Sequence, residues 1–251
     1  MSAKMVALVT GSGKKRVGFH VAAALAERGY GVGIHYHTSA QDAAETVDAF
    51  RRQGADAHAF QADLADEAAI KELVQRTLAH FGRLDVLVNC AAIWRPVRLE
   101  DVTAEELRRN FDVNVLGTFL CAQQVGLAMV QQEQGGCIVN FGDWAETRPY
   151  VNYAGYFASK GAIPALTRCL AIEFGTRNPR VRVNCILPGP VLFQPDLPAA
   201  EVQQAVGATL LQRAGTPAHV AQAVLYLIDN DFVTGSCMTV DGGRSVYAAG
   251  N

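Results

Sequence analysis

The chain has 251 residues, 50% of them hydrophobic and 18% charged. That mix and length bury a large core as one domain or two small ones, and exclude disorder, collagen-like repetition and a disulfide-stapled mini-protein. The 22 basic and 24 acidic side chains leave a net charge of −2, so no global basic field favours nucleic acid or an anionic membrane surface. No apolar run approaches the ~20 residues of a bilayer span, and the N-terminus turns glycine-rich and basic after a short apolar stretch, unlike a secretory signal. Six cysteines (Cys90, Cys121, Cys137, Cys169, Cys185 and Cys237) lie far apart, most inside apolar stretches, without CxxC or Cys/His ligand spacing. Buried reduced thiols, no metal site, a cytoplasmic location and neither nucleic-acid nor membrane partners are expected.

In chain order, a Val/Leu-rich run at 5–9 reads as a strand, followed by a glycine-rich turn and a stretch of helical period at 17–28. Strand signals then recur at 31–36, 56–61, 84–90, 136–142, 181–186 and 236–240. Helical periods separate them at 40–53, 67–81, 104–130, 153–174 and 219–228. Near-continuous apolar strands alternating with helices indicate an α/β fold: a single-domain Rossmann-like, doubly wound parallel seven-stranded sheet with helices on both faces. No linker, repeat or low-complexity tract divides residues 1–251. The proline-rich segment opening at Leu187 is expected to form a lid loop over about 187–212. In such sheets ligands bind beyond the carboxyl ends of the strands.

The first strand runs into Thr10-Gly11-Ser12-Gly13-Lys14-Lys15-Arg16-Val17-Gly18, which opens a helix. Small residues there let backbone N–H groups and the helix N-terminus face a phosphate, with Lys15 and Arg16 adding positive charge. An ordinary glycine-rich turn is the alternative, and the strand-to-helix position favours the phosphate reading. The second strand ends in His35-Tyr36-His37-Thr38-Ser39, where an NAD site would place an acid on the ribose hydroxyls. Without one, His37, Thr38, Ser39 and Arg16 can donate to a 2′-phosphate, so NADPH is the expected cofactor. Asp63, followed by Leu64, falls where an adenine edge would sit, although an Asp there is also a common helix N-cap. Asn89 and Ala91, after the fourth strand, offer a small-residue exit beside which a ribose could pack.

Tyr156 and Lys160 lie one helical turn apart on one face. An ammonium beside a phenol lowers the phenol pKa and makes a proton donor for a carbonyl or imine accepting hydride. Tyr150 and Tyr153 lack a lysine four residues on. Asp143 ends the fifth strand and points into the same crevice, or serves as a loop cap. Asn114, polar within an otherwise buried helical stretch, either holds a water relaying protons to Lys160 or satisfies a backbone group at a helix bend.

With these motifs in order the whole chain resembles the short-chain dehydrogenase/reductases, supported by Val183-Asn184-Cys185-Ile186-Leu187-Pro188-Gly189 and by Val240-Asp241-Gly242-Gly243. Within that family it is most similar to pteridine reductases, on Arg16, the His35 to Ser39 stretch, and Asp143 where most members carry a serine. The resemblance implies that Gly11, Ser12, Lys15, Arg16, Val17, Tyr36, His37, Thr38, Ser39, Asp63, Leu64, Asn89, Ala91, Tyr156, Lys160, Pro188 and Gly189 line the NADPH site. It further implies Asp143, Tyr156, Lys160 and Asn114 as the catalytic set, and Trp94, Asp143, Tyr156 and Leu192 around the substrate. A homotetramer with two-fold axes is implied as well. The chain departs from the pteridine reductase pattern in a turn longer by one residue, in Thr38 for a frequent arginine, and in Cys90 and Ala92 for polar residues.

An ionised carboxylate cannot donate to a ketone oxygen and repels the oxyanion forming there. Asp143 instead suits a substrate with N–H groups or a protonated C=N bond, so reduction of a pterin-like nitrogen heterocycle is expected. The alternatives are a carbonyl or cyclic-imine reductase acting on another small metabolite, and a non-catalytic dinucleotide-binding sensor.

Overall fold

The computed structural model describes residues 4–193 and 197–247. Seven parallel strands, β1 (Val6–Thr10), β2 (Gly31–Tyr36), β3 (Ala57–Gln61), β4 (Val86–Asn89), β5 (Gly136–Phe141), β6 (Val181–Pro188) and β7 (Cys237–Val240), form one sheet in the order β3-β2-β1-β4-β5-β6-β7. The order reverses at β1, which pairs with β2 on one side and β4 on the other. That junction is the switch point at which such sheets open a crevice.

Strand side chains alternate between two buried layers. Ala7, Val9, Val86 and Val88 pack with Val21 and Leu25 of α1 (Val17–Glu27), Val47 and Phe50 of α2 (Ala40–Arg52), and Val224 and Leu227 of α8 (Pro217–Asp229). Leu8, Leu87 and Ile138 face the opposite layer, built from Ile70 and Leu73 of α3 (Glu67–Phe81), Leu120 and Val125 of α5 (Gly117–Val130), and Leu170 and Phe174 of α6 (Ala154–Gly175). Burial on both faces explains why the strands read as continuous apolar runs rather than alternating ones. Each buried Val, Leu, Ile or Phe among them contributes roughly 1.5–3 kcal/mol.

Three expectations change. Asp63 is not the N-cap of α3: Asp66 is, its carboxylate accepting from the Ala68 and Ala69 N–H groups. The stretch 104–130 is not one regular helix. It divides into α4 (Ala104–Phe111), a π turn (Asp112–Leu116) and α5, and Gly117 lies so close to Leu64 that a Cβ there would sit 2.6 Å from the Leu64 carbonyl oxygen. Although Ala104–Val130 is long and apolar enough to cross a membrane by length and composition, half of its most apolar window is buried within the protein, as expected of a core helix. Finally, the expected lid loop contains α7 (Ala199–Gly207). Only Val202 and Val206 in it are strongly apolar, which hides its helical period; residues 194–196 of the loop lie outside the described residues.

Candidate active site

At the end of β1 the chain turns through Gly11 at φ +66. A Cβ there would lie 2.8 Å from the Ala91 Cα, and one at Gly18 would lie 2.8 Å from the Gly11 carbonyl oxygen, so the turn is closed to larger residues. The Gly11 N–H donates to His35 Nδ1 at 3.0 Å, and the Ser12 and Gly13 N–H groups donate to the His35 carbonyl. The Ser12 hydroxyl donates to the Val9 carbonyl. With Nδ1 accepting, His35 carries its proton on Nε2 and donates it to the Ala62 carbonyl at 3.1 Å. Burial holds its pKa down to about 4, so the ring is neutral. This buried histidine staples the turn to β2 and to the β3 exit.

The donors of Gly11 and Ser12 are therefore taken up internally, and these two residues give a phosphate site its shape rather than its hydrogen bonds. The donors lie further along: Arg16 is the N-cap of α1 and makes no side-chain cap bond, leaving the helix N-terminus open to an anion beside exposed Lys14, Lys15 and Arg16. Val17 is the first helical residue. This uncapped, cationic, narrow turn fits a dinucleotide pyrophosphate.

At the β2 exit Tyr36 and Ser39 are half-buried, and His37 and Thr38 are exposed. The sequence places no acid within this segment, but the fold supplies one. Asp63 Oδ2 lies 3.6 Å from His37 Nε2, while its Oδ1 accepts from the Ala65 N–H. Leu64 is buried behind it. Asn89 is buried and donates to the Asn140 Oδ1 at 3.0 Å, and the Ala91 N–H donates to the Thr10 hydroxyl. Across the crevice β6 ends at Pro188, and the Gly189 N–H bonds the Val240 carbonyl. Leu192 is exposed.

The catalytic candidates converge. Asp143 caps a 3-10 turn (Trp144–Glu146), its Oδ1 accepting from the Ala145 N–H, and its Oδ2 accepts the Tyr156 hydroxyl at 2.8 Å. Cap and crevice residue are thus the same side chain. Burial raises the Asp143 pKa, against the opposing pull of these two hydrogen bonds and of Lys160. Lys160, buried one turn along α6, donates to the Phe141 carbonyl at 2.7 Å, and burial lowers its pKa.

One electrostatic expectation is overturned. The Tyr156 phenol is held well above its ordinary 10, first by burial and then by the Asp143 charge, rather than lowered by Lys160. The group in contact with the phenol is a carboxylate, and the lysine ammonium is bonded to a backbone carbonyl.

The Asn114 side chain satisfies backbone groups from within the helix bend. Its Oδ1 accepts from the Ile93 N–H, and its Nδ2 donates to the Ile93 carbonyl and the Ser159 hydroxyl. Two peptide groups of the segment leading to Trp94 are held by this one amide, set in the π turn.

An aromatic wall surrounds the Asp143–Tyr156 pair. Trp94 stacks on Tyr153 (5.4 Å, 19°), and Trp144 lies nearly parallel to Tyr150 (6.5 Å, 25°). The Arg244 guanidinium lies 4.6 Å from the Trp144 ring centre and donates to the Ala205 carbonyl of α7. Glu146, one turn from Asp143, has a buried Oε2 without a hydrogen-bond partner among the described residues, and burial and the Asp143 charge push its pKa up to about 7. Of this wall, sequence reasoning named only Trp94. In the sequence Tyr150 and Tyr153 stand only as alternatives to Tyr156, and Arg244 reaches the site from the far end of the chain with no local pattern to mark it.

Buried acid, phenol and amine beyond the carboxyl end of β5, on the same rim of the parallel sheet as the uncapped phosphate turn, suit hydride transfer coupled to proton transfer. Residues 12–245 match the family model described as enoyl-(acyl carrier protein) reductase. Versicolorin reductase 1 of Aspergillus parasiticus is 35% identical over 254 residues, covering 95% of each chain. The chain belongs to the short-chain dehydrogenase/reductase family. A mutant short-chain dehydrogenase/reductase of Serratia marcescens superposes with TM-score 0.89 at 31% identity, covering 98% of this chain and 100% of that one. A blue fluorescent protein from a metagenomic library, solved in complex with NADPH, gives 0.87 at 31% identity, covering 96% and 97%. As a short-chain dehydrogenase/reductase the protein is an oxidoreductase that takes a small-molecule substrate and a nicotinamide dinucleotide.

Proposed function

We propose that this protein is an NADPH-dependent reductase that adds hydride to a C=N bond in a flat, pterin-like nitrogen heterocycle. The observation that carries the reading is the 2.8 Å hydrogen bond from the Tyr156 hydroxyl to the buried Asp143 carboxyl. A carboxylate at this place repels a developing oxyanion and attracts an N–H group or a protonated imine. Buried against the Tyr156 hydroxyl, it is placed to pass a proton toward a ring nitrogen, with Tyr156 as the neighbouring donor. Lys160, one helical turn beyond Tyr156, is anchored on the Phe141 carbonyl, and Asn114 positions the segment that carries Trp94. The stacked Trp94 and Tyr153 rings offer a flat face to a planar substrate. A bound reduced nicotinamide supplies the hydride. Arg16, His37, Thr38 and Ser39 support a 2′-phosphate, with Asp63 beside His37 opposing it in part. Exposed Leu107, Phe111 and Leu116 along α4 and the π turn support burial against further copies, as in a homotetramer.

A second reading, reduction of a carbonyl group in another small metabolite, is favoured by the likeness to a protein named versicolorin reductase. A steady-state panel with NADPH and NADH against dihydropterins, dihydrofolate, cyclic imines and aromatic ketones separates the two. Preference for C=N substrates with NADPH supports the first reading, preference for ketones overturns it, and cofactor binding without turnover of any member contradicts both.

A further inference from the structure

Outside the catalytic set, the groups most open to chemistry are two thiols on the last two strands of the sheet. Cys185 of β6 and Cys237 of β7 are direct register partners in a parallel pair. Such partners project from the same face of the sheet on strands roughly 4.8 Å apart, inside the ~4.4–6.8 Å Cα separation that a disulfide spans. Both pack under α6 with Ile163 and Leu166, Cys185 buried and Cys237 half-buried. Arg168 of α6 places Nη1 3.8 Å from Cys237 Sγ. The neighbouring Cys185 thiol and the Arg168 guanidinium draw the Cys237 pKa below its ordinary value against its burial, which favours the nucleophilic thiolate. Burial instead pushes Cys121 up to about 12 and Cys137 to about 11. Among the described residues, this is the cysteine pair with a nucleophile, a cation beside it and a second thiol in register.

We propose that Cys185 and Cys237 are a modification site that closes to a reversible intramolecular disulfide on exposure to hydrogen peroxide. The Cys237 thiolate attacks one peroxide oxygen, the O–O bond breaks, and the released hydroxide takes up a proton to become water. The sulfenic acid left on Cys237 is attacked by the Cys185 sulfur, which gives up its proton; the S–S bond forms, the S–O bond breaks, and a second water leaves. Two thiols and one peroxide give one disulfide and two waters.

The test treats the folded protein with a few equivalents of hydrogen peroxide, blocks remaining thiols with N-ethylmaleimide, and maps peptides without reduction. The expected result is a peptide pair joined through Cys185 and Cys237, two hydrogens lighter than the sum of its parts and released by dithiothreitol. Cys185→Ser abolishes the pair and leaves Cys237 trapped by a sulfenic-acid probe such as dimedone. Recovery of both cysteines as maleimide adducts while Cys169 oxidises would overturn the proposal. So would Cys237 linked to Cys169, or to a second copy of the chain on a non-reducing gel.

Discussion

His35 ties the cofactor turn to the sheet only while it is neutral, because its Nδ1 must accept the Gly11 N–H. Its folded pKa of about 4 lies below the ordinary 6.5, so the stabilising contribution is present above 6.5 and is lost as pH falls toward 4. Across that window the unfolded chain takes up a proton that the folded chain refuses. At about 1.36 kcal/mol per pH unit, titration from 6.5 to about 4 costs the fold roughly 3 kcal/mol. His35→Asn keeps an acceptor near the Gly11 N–H and removes the titration, at the cost of the bond to Ala62. Urea unfolding of both proteins at pH 7, 6, 5 and 4 isolates the effect, since every other titrating group is common to both. The wild type is expected to start more stable at pH 7 and to lose about 3 kcal/mol relative to the variant by pH 4, with NADPH affinity falling in parallel. A stability difference that stays flat with pH would refute the neutral staple.

Other expectations concern cofactor choice, scaffold and substrate wall. His37→Glu adds a second carboxylate beside Asp63 and is expected to lower the NADPH-over-NADH ratio of kcat/KM by at least about tenfold, near 1.4 kcal/mol; an unchanged ratio places the 2′-phosphate elsewhere. Asn114→Ala strips partners from the Ile93 N–H and carbonyl, each worth about 1–3 kcal/mol if left buried and unpaired, so thermal unfolding shifts down by several degrees and kcat falls with it. Trp94→Ala removes a stacking face worth about 0.5–1.5 kcal/mol beyond its area. It should raise KM for a planar substrate roughly 3- to 10-fold while NADPH affinity by fluorescence titration is unchanged.

The sheet and its order of elements were legible because strands buried on both faces write themselves as Val, Ile and Leu runs. Where two signals competed, tertiary structure decided. Asp63 and Asp66 both precede α3, and only the backbone path selects Asp66 as the cap. Asn114, in the π turn, bonds a partner 21 residues away, which periodicity does not encode. Tyr156, Lys160 and Asp143 were found by spacing and by position at strand ends, but the electrostatics were misread. Proximity in sequence paired the phenol with the lysine, whereas the fold paired it with the carboxylate and turned the amine to Phe141. Asp63 beside His37 and Arg244 over Trp144 join separate segments, and no local pattern carries those pairings.

In the proposed reading, the identity of residue 143 decides the chemistry. The most direct measurement is the ratio of kcat/KM for a cyclic C=N substrate to that for an aromatic ketone, in wild type and in Asp143→Ser. Serine donates to a developing oxyanion where the carboxylate repels it, so the ratio is expected to fall by roughly 10²–10⁴, the span of a lost general acid, with NADPH affinity retained. A ratio that does not move would contradict the account, since the carboxylate would then stand beside the reaction without taking part in it.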